Sequence, residues 1–196
     1  MIGEFSAWAI FFLPLSSFIL ISFVIRPFFN RYAAIAGYLT ISTIGTAAII
    51  SIVALLGLAV NENEKILSPQ EWLVVGDFEF GVGLILDSLT SVMLVVATVV
   101  SLMVQIYSVG YMKGDSGYAR YYAFMSLFTA SMIGLVMASN IIQLYVFWEL
   151  VGLSSYLLIG FWYQRPAAAA AAKKAFVMTR LGDFGFLLAV RRSFLA

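Results

Sequence analysis

The chain has 196 residues, of which 63% are hydrophobic and only 11% are charged, and its mean hydropathy is +1.01. Soluble domains carry about a quarter charged residues, so this charge is too sparse to cover a soluble surface. The composition excludes a disordered chain and an ordinary soluble enzyme, and a net charge of +1 argues against nucleic acid as a partner. It indicates an integral membrane protein of roughly six helices, with the lipid bilayer as its surroundings.

Two residue types are missing from the sequence. The absence of Cys excludes disulfides, iron–sulfur ligation and a thiol nucleophile within this chain. The absence of His removes the usual ligand of haem and zinc. We therefore expect no cofactor and no metal site in this chain, and we expect any redox step to take place in other subunits.

The N-terminal segment, 1–60, is predicted to contain two helices at about 5–25 and 32–59. The first apolar run is too long for the core of a signal peptide and is not preceded by a positive charge, so it reads as a retained span. Pro14 predicts a kink within it.

A polar outer loop follows at 61–84. Two short β-prone runs, Trp72–Val75 and Phe78–Phe80, flank Gly76 and Asp77, which predicts a small extramembrane hairpin. The alternative is an irregular loop.

The rest of the chain is predicted to be helical. The segment 85–120 carries a third helix at about 85–110, with Asp87 favoured as its N-cap. The segment 121–196 carries helices at about 121–138 and 141–163, and a sixth that starts near Lys173. The fold class is therefore all-α, a polytopic transmembrane bundle of about six helices with a small β-hairpin.

The basic residues predict the orientation. Those on one side of the predicted membrane are Arg26, Arg31, Lys113, Arg120, Arg165, Lys173 and Lys174. These loops are predicted to be cytoplasmic or to face the equivalent compartment, with the N-terminus and the hairpin outside. Arg191 and Arg192 break this rule at the end of the sixth helix.

Glu149 is the charged residue within the fifth predicted helix. It lies nine residues after Asn140, roughly 13 Å along a helix axis, which is close to the middle of a membrane. Charged residues in spans are costly and usually mark function, although a structural glutamate that fixes helix packing is the alternative. Tyr145 and Tyr156 fall on the same helical face, where their hydroxyls could bind the carboxylate or water.

The sixth helix offers Lys173, Lys174, Arg180 and Asp183 as further candidates. Arg180 and Asp183 form an i,i+3 pair, which could be purely structural or could link Glu149 to the cytoplasmic side. The two lysines could instead snorkel to the interface and fix the topology.

Several blocks of the sequence resemble one known family. They lie at 86–112, 120–123, 147–162 and 174–183, and the most specific are Trp-Glu-Leu-Val-Gly-Leu at 148–153 and Arg-x-Gly-Asp-Phe at 180–184. The sequence is similar to the N-terminal part of the antiporter-like subunit L (subunit 5) of respiratory complex I. The relatives of that family include the A-type component of Mrp-type multisubunit sodium/proton antiporters and the plastid-type homologue.

The resemblance implies a proton-translocating subunit of an NADH:quinone oxidoreductase, in a bacterial inner membrane or its organellar equivalent. Other membrane subunits of complex I and protons would be its partners. Glu149 matches the family glutamate that pairs with a lysine on a later helix, and Lys174, Arg180 and Asp183 match charged positions near it. The segment 121–196 would begin the first antiporter-like repeat.

The sequence departs from the family pattern after Val190, where Arg191 to Ala196 replace a continuing apolar helix. We therefore expect the chain to be an N-terminal fragment, or the product of a truncated or shifted reading frame. Two alternatives stay open: the A-type component of an Mrp-type sodium/proton antiporter, and an inactive truncated product.

Overall fold

A computed structural model describes residues 4–28, 33–60, 65–75 and 78–195. Within these residues the chain forms six helices and one antiparallel pair of strands. The helices are α1 (Glu4–Phe28), α2 (Ala34–Val60), α3 (Ser88–Tyr111), α4 (Tyr118–Val136), α5 (Ile141–Ile159) and α6 (Pro166–Leu195), and the strands are β1 (Lys65–Val75) and β2 (Phe78–Leu86). The predicted helical bundle with a hairpin is confirmed.

Four of these helices, α1, α2, α3 and α5, are long and apolar enough to cross a membrane. More than half of the residues of α4 are buried, and this helix contacts α1, α2, α3 and α5. A helix that faces protein on most sides does not need a strongly apolar surface, which explains its lower hydropathy. The sixth helix carries the charged residues discussed below.

The first helix is continuous through Pro14 and contains a π-helical turn at Ile21–Ile25. The hydroxyl of Ser17 donates to the Pro14 carbonyl at 2.8 Å and lies 3.0 Å from the Ser126 hydroxyl, a hydrogen bond that links α1 to α4. A π-turn is itself a recognised cause of helix bending. The predicted kink at Pro14 stays a prediction.

Side-chain caps fix where two helices begin. Asp87 accepts a hydrogen bond from the Thr90 amide at 2.6 Å, so its predicted role as an N-cap is confirmed. Asn140 caps α5 in the same way through the Gln143 amide at 2.7 Å. Both caps satisfy amides that the first helical turn leaves without a backbone partner.

The predicted start of the sixth helix near Lys173 is wrong. The helix begins at Pro166 and includes the alanine run 167–172. Proline is favoured at the first helical position because its missing N–H would have no partner there, and alanine has the highest helix propensity. The run is therefore the first part of the helix rather than a linker.

The hairpin packs against the end of the bundle where α4 and α5 meet. Its strands pair Lys65 with Leu86 and Val75 with Phe78, so they are longer than predicted, and the predicted turn residues Gly76 and Asp77 lie outside the described residues. The Ile85 amide donates to the Met137 carbonyl at 3.0 Å. Leu84 is buried in the same core cluster as Ile133 and Met137.

A second core cluster lies at the opposite end of the bundle. It joins Ile25 and Ala36 with Ala119, Tyr122 and Ala123. The end of α1, the start of α2 and the start of α4 therefore lie together, as expected for successive antiparallel helices. We call this the basic end, because it carries Arg26, Lys113, Arg120 and Arg165.

Candidate functional site

Three of the predicted site residues meet between α5 and α6. Glu149 and Arg180 form an ion pair, and Arg180 Nη2 also donates to the Glu149 backbone carbonyl at 3.0 Å. Arg180 Nη1 lies 3.6 Å from Asp183 Oδ2. One guanidinium therefore faces two carboxylates, and we call these three residues the charged triad.

The triad is partly enclosed. The side chains of Glu149 and Arg180 retain 25% and 27% of their exposure, whereas that of Asp183 retains 9%. The guanidinium lies over the Phe176 ring, with 4.7 Å between Cζ and the ring centroid. Its Nε is buried and has no hydrogen-bond partner among the described residues.

Trp148 is a functional candidate that sequence reasoning missed. Its indole Nε1 donates to Asp183 Oδ1 at 2.8 Å, whereas Arg180 lies near the other oxygen of the same carboxylate. The available signal in the sequence is its place beside Glu149 in a span, because an indole N–H in apolar surroundings needs an acceptor.

Gly152 allows α6 to approach α5 at the triad. A Cβ built on this glycine would lie 3.2 Å from Arg180 Nη2, which is tighter than ordinary contact. A larger residue would push the guanidinium away from Glu149. The need for a small residue here follows from the close approach rather than from any special backbone conformation.

Open volume borders the triad on two sides. A cavity of about 680 Å³ between α4, α5 and α6 is lined by Trp148, Gly152 and Asp183 among apolar neighbours. A second cavity of about 420 Å³ is lined by Tyr145, Glu149, Phe176 and Arg180, again with apolar neighbours. Each has room for several waters, since a water occupies about 30 Å³ in the liquid.

The two tyrosines predicted to face Glu149 have aromatic partners instead. Tyr145 lies 5.7 Å from Phe186 and Tyr156 lies 5.1 Å from Phe176, measured between ring centroids. Within the described part of the chain, neither hydroxyl bonds the Glu149 carboxylate. Tyr145 nevertheless lines the cavity on which Glu149 opens.

The structure does not bring Lys174 to the triad. Its side chain is exposed, and the described ranges contain no hydrogen bond or ion pair to it. It precedes Arg180 by six residues, roughly 9 Å along the helix. Its neighbour Lys173 lines a third cavity, at the basic end.

The start of α5 is bonded directly to the hairpin. Gln143 is buried, and its side-chain amide contacts both polar groups of Gly83: Nε2 donates to the carbonyl at 3.0 Å, and Oε1 accepts from the amide at 3.3 Å. Asn140 Nδ2 donates to the Gly81 carbonyl at 2.7 Å. These contacts connect the extramembrane hairpin to the helix that carries Glu149.

Comparisons with known proteins agree with this arrangement. Residues 72–122 match the family profile described as NADH-Ubiquinone oxidoreductase (complex I), chain 5 N-terminus. Residues 138–195 match the profile described as NADH:quinone oxidoreductase/Mrp antiporter, TM. The second match contains the whole charged triad.

Curated relatives are similar over almost the whole chain. NAD(P)H-quinone oxidoreductase chain 5 of Picosynechococcus sp. is 45% identical over 185 residues, which cover 93% of this chain and 28% of the relative. The chloroplastic subunit 5 of Mesostigma viride is 44% identical over 191 residues, covering 94% and 28%. The chain thus spans less than a third of the length of these relatives.

Among solved structures, a chain of the membrane-bound sulfane sulfur reductase, an archaeal respiratory membrane complex, has the same fold. The TM-score is 0.74 at 19% identity, and the match covers 93% of this chain and 35% of that one. The family itself is shown by the two profile matches and the sequence relatives. The chain belongs to the family of NADH:quinone oxidoreductase chain 5, the antiporter-like membrane subunit of complex I.

Proposed function

We propose that the chain forms part of the proton-translocating membrane subunit of an NAD(P)H-quinone oxidoreductase. Other subunits would carry out the redox reaction, and this one would couple it to proton movement. The observation that carries the proposal is the charged triad, in which Glu149 and Asp183 share the guanidinium of Arg180.

The charge balance of the triad supports a proton-binding role. Two ionised carboxylates and one guanidinium leave a net negative charge, which is costly within a membrane span. Either a second cation or a bound proton removes that cost. A triad whose cation shifts between the two carboxylates can therefore bind and release one proton.

The surroundings favour Glu149 as the residue that exchanges the proton. Asp183 already accepts the Trp148 N–H at 2.8 Å, and its side chain is the more enclosed of the two. Glu149 receives Arg180 and opens on the cavity of about 420 Å³. Asp183 would thus hold the position of Arg180, while Glu149 would alternate between the ionised and the protonated form.

Lys174 has a more distant role in this proposal. Because it is exposed near the first third of α6, it would contribute charge between the triad and the basic end. The partner lysine that the family places on a later helix would come from outside this chain. Orientation follows the basic residues, with the N-terminus on the outer side.

Glu149→Gln in the full-length subunit tests the proposal. The substitution keeps the size of the side chain and removes its capacity to exchange a proton, so we expect fewer protons translocated per quinone reduced. Glu4→Gln is the matched control, because Glu4 is exposed at the start of α1. An unchanged proton stoichiometry in Glu149→Gln would refute the assigned role.

A further inference from the structure

We propose that a cavity at the basic end binds the phosphate headgroup of an anionic lipid. The cavity measures about 320 Å³ and lies where the start of α4, the end of α5 and the start of α6 meet. Two of its lining residues are cations, Arg120 and Lys173, and two are phenols, Tyr156 and Tyr163. The proposal does not depend on the proton-transfer role of Glu149.

Arg120 is held in place and still has donors to offer. Its Nη2 donates to the Phe161 carbonyl at 3.1 Å, and its guanidinium lies over the rings of Phe161 and Tyr163 at 4.8 and 5.2 Å. A guanidinium has five N–H donors, and Nε is buried without a partner among the described residues. The planar group is thus oriented before any ligand binds, which favours recognition of phosphate.

The nearest acid does not compete for these donors. Asp115 accepts the Gly117 amide at 2.7 Å and Trp162 Nε1 at 3.1 Å. These two hydrogen bonds, followed by the charge of Arg120, hold the pKa of the Asp115 carboxyl below its usual value. The described lining of the cavity itself contains no acidic residue, so its charge is positive.

The position of the cavity indicates a lipid rather than a free phosphate. Trp162 and Tyr163 are exposed beside it, as is usual where a membrane protein meets the headgroup region. Phe124 and Leu157 provide an apolar wall along which an acyl chain can lie. Basic cavities between membrane helices on the cytoplasmic side bind anionic headgroups, because that leaflet is rich in anionic lipids.

Two adjacent lysines give a matched pair of variants. Lys173 lines the cavity, whereas Lys174 does not, and both side chains are exposed, so neither substitution to Gln should prevent folding. The full chain is purified in mild detergent and titrated with phosphatidylglycerol, and the bound lipid is counted by native mass spectrometry. Parallel titrations use phosphatidylcholine and inorganic phosphate.

We expect Lys173→Gln to raise the half-saturating concentration of phosphatidylglycerol by about fivefold, the effect of one interfacial cation. Lys174→Gln should leave it unchanged, and Lys173→Arg should retain binding. Equal binding of phosphatidylcholine, or an equal loss in both Gln variants, would overturn the proposal. Saturation by inorganic phosphate without lipid would also overturn it, in favour of a free-phosphate site.

Discussion

At the scale of single residues, the site is defined by the unequal partners of two carboxylates. Asp183 has a neutral donor, Trp148, on one oxygen and the Arg180 guanidinium near the other. Glu149 depends on Arg180 alone among the described residues. Any change that gives Asp183 a stronger hold on Arg180 should therefore alter the proton chemistry of Glu149.

Trp148→Phe tests this dependence. The ring keeps its apolar packing but loses the N–H, so Asp183 should draw Arg180 away from Glu149. We expect a several-fold lower rate of proton translocation with normal assembly, since a hydrogen bond to a charged group contributes roughly 1.5–3 kcal/mol. The rate is measured in proteoliposomes that contain the full complex.

Trp8→Phe is the matched control for that substitution. The described residues provide no acceptor for the Trp8 N–H, and its ring stacks on Phe12. If Trp148→Phe translocates protons as fast as Trp8→Phe, the Trp148–Asp183 bond has no part in the function.

At the scale of elements, the position of α5 depends on the hairpin. Asn140 and Gln143 bond Gly81 and Gly83, and Glu149 follows Gln143 by six residues in the same helix. A rigid helix transmits a shift at its start along its length. The hairpin contacts therefore help to set the height of Glu149 in the membrane.

Gln143→Leu should destabilise the protein. The leucine is similar in size but leaves the amide and carbonyl of Gly83 without partners in a buried setting, and each such group costs about 1–3 kcal/mol. We expect a lower unfolding midpoint in detergent and faster hydrogen exchange at Gly83. Gln164→Leu, at an exposed position, is the control. Equal midpoints for the two variants would contradict the contact.

The sequence predicts the elements better than the contacts between them. Hydropathy indicates the spans, and the capping rule puts Asp87 at the start of α3. The predicted start of α6 is wrong because an alanine run has no polarity signal to distinguish a helix from a linker. The Gln143–Gly83 contact could not be predicted, because 60 residues separate its partners.

The candidate site is partly within reach of the sequence. Glu149, Arg180 and Asp183 are charges within apolar segments, so the cost of burying them indicates a cluster. Lys174 carries the same signal, but its side of α6 depends on how that helix packs, which the sequence does not state. Trp148 has no charge and does not stand out among the many aromatic residues.

At the scale of the whole molecule, helices α1 to α6 alternate in direction between the hairpin end and the basic end. The core clusters at the two ends support this, as does the contact of Arg120 with Phe161. The chain spans less than a third of each relative's length, so the role in a complex is a proposal about a larger protein.

Single-cysteine labelling tests the proposed orientation. The chain has no Cys, so each variant has one reactive site. We expect Gly114→Cys and Gln164→Cys to react with an impermeant maleimide from the cytoplasmic or equivalent side, and Glu4→Cys from the other. All three positions are exposed. Labelling of Glu4→Cys and Gln164→Cys from the same side would contradict the topology.

The most direct test of the central claim is the protonation of Glu149 itself. Infrared difference spectra of the complex are recorded between its oxidised and its reduced state, in the wild type and in Glu149→Gln, Asp183→Asn and Glu4→Gln variants. We predict a protonated-carboxyl band that is present in the wild type and in Glu4→Gln but absent in Glu149→Gln. A band that persists in Glu149→Gln and disappears in Asp183→Asn would contradict the account.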